Sequence, residues 1–260
     1  RPNDFLPKVG GMDFMSDGSL AISVWDPSGA VYLLSNISSG DPSKIKVKQI
    51  ASGLAEPLGL KVINDTIYVM QKQELTRLVD TNGDQIIDEY QCINNSWPAS
   101  ANFHEFGFGL AEKEGDLFAT LAIAIQPGGA SGFAQLASRG RVVRFDMPSG
   151  ELSYIAGGLR TPNGIGTGID GEIFVADNQG DWLPSSKILH IKNGDYFGCR
   201  SVDSAGVATL KDKSPVVWLP QDEIGNSPWT PLAIDDGPFR GQMIHGEVTH
   251  GGIKRVFVEK

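Results

Sequence analysis

The sequence is poor in the residues that most often mark a site. It has two cysteines, Cys92 and Cys199, and four histidines in 260 residues. That supply excludes a thiolate metal cluster and a disulfide framework, leaving open one bridge in an oxidising compartment. No stretch approaches the roughly eighteen apolar residues of a membrane-spanning helix. Positive charge is scarce too: 22 Lys and Arg against 31 Asp and Glu give a net charge of −9. A nucleic-acid partner requires a basic face, so that class is excluded. The opening residues, RPNDFLPKVGG, lack a charged-then-apolar leader pattern.

Glycine (32) and proline (15) are abundant, which favours turns and short strands over long helices. A repeat organises them: a glycine-bearing turn, a polar pair such as Asp-Gly, a short apolar strand, a loop and another strand. It reads VGGMDFMSDGSLAISVWDPSGAVYLL at 9–34 and PLGLKVINDTIYVMQKQELTRLV at 57–79. It recurs as GFGLAEKEGDLFATLA at 107–122 and PNGIGTGIDGEIFVADN at 162–178, with a looser copy at 231–258. Strand starts at Leu20, Ile67, Leu117, Ile173 and Gln242 are 47, 50, 56 and 69 residues apart. That period suits the four-stranded blades of an all-β propeller, where a sandwich would not repeat one motif so regularly. Five blades are expected, near 9–45, 50–95, 105–150, 152–195 and 225–260, in one domain over 1–260. The chain ends on FVEK within an expected strand, so a C-terminal truncation is expected.

In a propeller, loops after the inner strands gather at one end, so residues with chemistry in those loops stand out. NFHEFG carries His104 and Glu105; LRTPNG carries Arg160, Thr161 and Asn163; ADNQGDWLPSSK carries Asp177, Asn178, Gln179, Asp181 and Lys187. By itself a histidine flanked by Phe103 and Phe106 is as well read as a hydrogen-bonded core residue. Arg160 reads equally as a blade-linking ion pair, and the aspartates as turn caps.

The ordered set FHEFGFGL, RTPNG, DNQGDWLPSSK, GDYFG and GE-THG-KR resembles the quinoprotein sugar dehydrogenases, six-bladed propellers. The likeness is nearest to the dehydrogenase-like domains of large bacterial proteins that also carry a c-type cytochrome. The resemblance implies pyrroloquinoline quinone (PQQ), a tricarboxylated ortho-quinone, and a calcium ion that polarises its carbonyl. It makes His104 the general base. It makes Arg160, Thr161 and Asn163 cofactor ligands, with His250, Lys254 and Arg255 the nearest matches to further cations of the last blades. It puts calcium on the carbonyls of Asn178 and Gln179, with Asp181 beside them. The residue chemistry agrees: a polycarboxylate suits a guanidinium fork, a hard dication suits oxygen donors, and hydroxyl oxidation needs a base that titrates near neutrality. A sugar or alcohol substrate, a cytochrome acceptor and a periplasmic or extracellular setting are implied with it. No sixth blade is read in the given residues, so part of the implied cofactor cage is expected to lie outside them.

Two other readings stay open. A lactonase-type propeller would hold one calcium ion with Glu105, Asn163 and Asp181. A carbohydrate-binding propeller would keep the loops without activity. Separately, DTNGDQIIDEY places Asp80, Asn82, Asp84 and Asp88 at positions 1, 3, 5 and 9 of an EF-hand-like loop. Gln85 replaces the glycine of position 6 and Gln91 the glutamate of position 12, so a solvated Asn-Gly turn explains the stretch equally.

Overall fold

The computed structural model describes residues 5–131, 134–180 and 185–259. The chain is all-β, its sheets arranged as five propeller blades. Among the described residues the helical segments are three single 3-10 turns, and no helix is long and apolar enough to cross a membrane. Contacts divide the chain into two compact units, Arg1–Trp97 and Pro98–Lys260.

The first unit holds two antiparallel meanders. One pairs β1 (Val9–Phe14), β2 (Leu20–Val24), β3 (Val31–Ser35) and β4 (Lys46–Ala51); the other pairs β5 (Gly59–Ile63), β6 (Thr66–Met70), β7 (Leu75–Val79) and β8 (Glu89–Asn94). Period-two alternation sends Ala21, Val31 and Ile50 of the first sheet against Leu60, Ile67, Val69 and Leu78 of the second. Each fully buried aliphatic side chain contributes about 1.5–3 kcal/mol to holding such a face closed.

The second unit holds three sheets. β9 (Gly107–Lys113), β10 (Asp116–Leu121), β11 (Arg141–Asp146) and β12 (Glu151–Gly157) form one. β13 (Thr161–Thr167), β14 (Ile173–Asn178), β15 (Ser185–His190) and β16 (Val217–Pro220) form the next. β17 (Leu232–Ala233), β18 (Met243–Gly246) and β19 (Ile253–Val256) form the fifth sheet of the chain, of three strands. Ala111, Val142 and Ala156 pack on Ile165, Val175 and Leu189, and Phe174, Ile188 and Leu219 pack on Met243 and Val256. The expected blade boundaries shift here. β12 closes the third sheet where a fourth blade was expected to begin, and β16 extends the fourth sheet to Pro220. Outer strands face water on one side, as the exposed-and-half-buried start of β12 shows, so their sequences carry little apolar signal.

Strand β13 lies in close contact with the 229–231 segment. A side chain at Gly164 or Gly166 would overlap the backbone at Thr230 or Pro231, so only glycine lets the 229–231 segment lie against β13. Its register against β14 shifts between Thr161 and Gly164. Pro162 lies in that irregular step, where a missing N–H costs no ladder bond.

Candidate functional site

The contacts around His104 and Arg160 lie within the second unit. His104 sits in the loop before β9, where an Asn102 side-chain oxygen accepts its backbone N–H at 2.9 Å. The residue is 8% exposed. Nδ1 lies 2.8 Å from the Ile123 carbonyl, an acceptor only, so Nδ1 carries the proton and Nε2 the lone pair. Ile123 also donates its N–H to the Arg160 carbonyl at 3.1 Å, tying the two loops together. Thr161 Oγ1 is 3.3 Å from His104 Nε2, and Arg160 Nη1 donates to the same hydroxyl at 3.2 Å. Burial pushes the His104 pKa below its usual value; the Arg160 charge adds to this, and the Ile123 bond opposes it. The imidazole is therefore neutral at neutral pH, with Nε2 available to accept a proton.

Arg160 is buried and also donates to the Gly129 carbonyl. Its backbone N–H and that of Thr161 bond the Asp177 carboxylate, the latter at 2.9 Å. Asp177 is fully buried and pairs with Lys187 at 2.9 Å, a residue directly opposite it in the β14–β15 ladder. The Lys187 ammonium also donates to the Gln179 carbonyl at 2.9 Å. Asn163 and Asn178 both direct their amide nitrogens at Ser227 Oγ, each at 3.5 Å. Gln179 Nε2 bonds Asn226 Oδ1 at 2.5 Å. Asn163 Oδ1 is buried without a protein partner.

The structure thus brings His104, Arg160 and Thr161 into one cluster, joined through Asp177 and Lys187 to Gln179. Asn163 and Asn178 meet at Ser227. His250 touches this network indirectly: its backbone N–H bonds Glu247 Oε2 at 2.6 Å, and Glu247 Oε1 accepts the N–H groups of Asn226 and Ser227. Lys254 sits opposite His245 in the β18–β19 ladder, and the Arg255 guanidinium lies 3.8 Å over the exposed Phe239 ring. Neither has a bond to the His104–Arg160 cluster among the described contacts. Asp181, and with it Trp182, lies outside the described residues. Glu247, Asn226 and Ser227 were missed as participants, although GE-THG already stood out in the sequence. Cys92 is exposed and Cys199 is buried, and the two do not form a disulfide.

The metal expectations meet donors that are already engaged. In the first unit Asp80 accepts the N–H groups of Gly83 and Gln85, both at 2.7 Å. Asn82 and Asp84 accept those of Asp84 and Ile86, and Asp88 accepts from Thr81. Gln85 takes a left-handed φ of 64° where the EF-hand pattern has glycine. Among the described residues no three acids, histidines or cysteines gather as metal ligands. In the second unit the Gln179 carbonyl already holds an ammonium, and Asn163 Oδ1 is a single oxygen where calcium takes six to eight. Among the described residues, the Gln179 carbonyl does not fit calcium while Lys187 is in place. The other site residues do fit an anionic, hydrogen-bonding organic group: a buried guanidinium, a hydroxyl, an orphan amide oxygen and a neutral imidazole.

No family model and no curated protein matches the chain. Solved structures do. One, described as an oxidoreductase (glucose dehydrogenase) from Thermus thermophilus, is 18% identical over 98% of this chain and 80% of its own, with a TM-score of 0.74. The PQQ-bound aldose sugar dehydrogenase of Streptomyces coelicolor is 15% identical over 98% and 82%, with a TM-score of 0.68. The PQQ domain of pyranose dehydrogenase from Coprinopsis cinerea is 11% identical over 97% and 79%, with a TM-score of 0.64. At these identities the likeness shows the β-propeller fold.

Proposed function

We propose that this chain binds PQQ and oxidises a hydroxyl of a sugar or small alcohol to a carbonyl. The observation that carries the reading is His104: buried, neutral, with Nδ1 committed to Ile123 and Nε2 facing a hydroxyl beside a buried guanidinium. When bound, the quinone would supply hydride-accepting chemistry that no side chain of the cluster provides. His104 Nε2 would take the proton of the substrate hydroxyl, which requires displacing Thr161 from its 3.3 Å contact. Arg160 would hold a carboxylate, and the Thr161 hydroxyl and Asn163 amide would fix its orientation. The PQQ-bound form of one structural neighbour and the holo form of the PQQ domain of another support this reading. A c-type cytochrome acceptor and a periplasmic or extracellular setting belong to the same proposal.

The lactonase reading needs Glu105 as a metal ligand. Its carboxylate instead accepts the Ser100 N–H and lies 4.0 Å from the buried Arg139 guanidinium. That commitment favours the oxidoreductase.

The test is titration of the purified chain with PQQ by equilibrium dialysis, then dye reduction over aldoses, polyols and simple alcohols. Saturable uptake, lost in Arg160→Ala, is the expected result. His104→Ala should retain uptake and lose about two to four orders of magnitude in turnover. No PQQ uptake by the wild-type chain refutes the proposal.

A further inference from the structure

Lys187 is a charged side chain where burial should discourage one. Its side chain is 3% exposed and lies opposite Asp177, which is wholly buried. A lone buried ammonium is costly, and one kept this deep must be compensated by partners. Here the compensation is specific: Asp177 Oδ2 and the Gln179 carbonyl, each at 2.9 Å. Gln179 is shaped for the contact. It adopts φ 53°, a left-handed conformation uncommon outside glycine. Its N–H donates to Ser186 Oγ at 3.3 Å, and its side chain bonds Asn226. The backbone oxygen of a turn, a buried carboxylate and nearby amide oxygens make a donor set that suits a hard cation. The protein supplies that cation itself.

We propose that the Lys187 ammonium is the resident cation of the 177–179 turn, standing in the place where the quinoprotein resemblance implies a divalent metal. The ammonium neutralises Asp177, so that carboxylate can bond the Arg160 and Thr161 amides and hold Thr161 at His104. A dication on the Gln179 carbonyl would sit within a few ångströms of the ammonium, in an interior that screens like charges poorly. The inference rests on the proposed function only for where a metal would be sought. Its readout is metal uptake, so it can fail while PQQ binding stands, and the reverse.

The experiment silences the outer loop first, with Asp80→Asn, Asp84→Asn and Asp88→Asn, which keep turn-forming oxygens. In that background we expect no stoichiometric uptake of calcium in dialysis with radioactive Ca2+, and melting curves that coincide in CaCl2 and EGTA. Adding Lys187→Gln leaves Asp177 without its cation. Melting should drop by roughly 5–15 °C. The variant should then take up one calcium ion at least about ten-fold more tightly than its parent, recovering part of the loss. One tightly bound calcium ion in the background protein overturns the proposal, and so does a folded Lys187→Gln variant that gains no calcium affinity. If Lys187→Gln does not fold, Lys187→Arg serves, since it keeps the charge: it must fold and take up no calcium, and uptake by it refutes the assignment.

Discussion

Replacing Glu247 by glutamine removes a charge on which two loops converge. Glu247 follows β18 and is 3% exposed. Its Oε1 accepts the N–H groups of Asn226 at 3.1 Å, Ser227 at 3.2 Å and Thr249 at 2.9 Å, and Oε2 accepts that of His250 at 2.6 Å. Burial pushes the carboxyl up, but the four backbone donors together outweigh it and hold the pKa at about 2. From an ordinary value of 4.5 that shift corresponds to roughly 3 kcal/mol at neutral pH, taken as an upper figure. The sign follows from the depressed pKa. The stabilisation is complete above the unfolded-state value and is lost as pH falls through 4.5 toward about 2.

Glutamine keeps one oxygen for the Oε1 donors and turns an NH2 group against the His250 N–H, so that the four-donor set loses its charge and one of its acceptors. Glu247→Gln should therefore cost about 2–3 kcal/mol at pH 7, or several degrees in melting temperature. Urea unfolding followed by circular dichroism from pH 7 down to pH 2.5 is the assay. The gap between variant and wild type should shrink as pH falls below 4.5, because the carboxyl of the unfolded wild-type chain is then progressively protonated while the folded one stays charged until about 2. Comparing the two proteins cancels the other carboxylates, which titrate in both. A gap that stays constant to pH 2.5, or one under about 0.5 kcal/mol at pH 7, refutes the reasoning.

Other perturbations have equally definite outcomes. In an NMR titration the His104 imidazole should protonate below 6.5, as its burial dictates, and a value at or above 6.5 would remove it as a neutral base. The unfolded chain takes that proton more readily, so stability should decline as pH drops through 6.5, and His104→Gln should flatten that component. Glu114 holds φ 55° before Gly115 at φ 87°, in the tight connection of β9 and β10. Glu114→Asn should stabilise by about 0.5 kcal/mol, since two-residue turns with both φ positive favour Asn-Gly; a loss of stability would contradict the turn assignment. Thr161→Val removes the hydroxyl between Arg160 Nη1 and His104 Nε2. PQQ uptake should weaken while the melting temperature changes little, and unchanged uptake would free Thr161 of a ligand role.

The sheets were legible because their signals are local. A turn glycine followed by a short apolar strand recurs in the chain, and each copy of it became a strand pair such as β9–β10 or β13–β14. Outer strands were harder: β12 alternates only weakly because one face meets water, and its membership of the third sheet depends on pairing with β11. The site divides in the same way. His104 and the Arg160–Asn163 run could be picked out, since FHEFG and RTPNG are contiguous and their chemistry is carried by residue type. Lys187 and Glu247 could be seen but not given a task.

A lysine ten residues after an aspartate becomes its partner only when the β14–β15 register sets them opposite. A slip of one residue would put the two on opposite faces of the sheet. Nothing in SSK fixes that register; the apolar pattern of Val175, Ile188 and Leu189 against neighbouring sheets does. Glu247 is more distant still, because its four donors come from two separate loops, Asn226 and Ser227 in one and Thr249 and His250 in the other. Charges whose meaning depends on register or on loop docking are therefore the residues a sequence shows without explaining. In this protein Lys187 acts through Asp177 on the backbone of Arg160 and Thr161, and Glu247 holds that of Asn226 and Ser227.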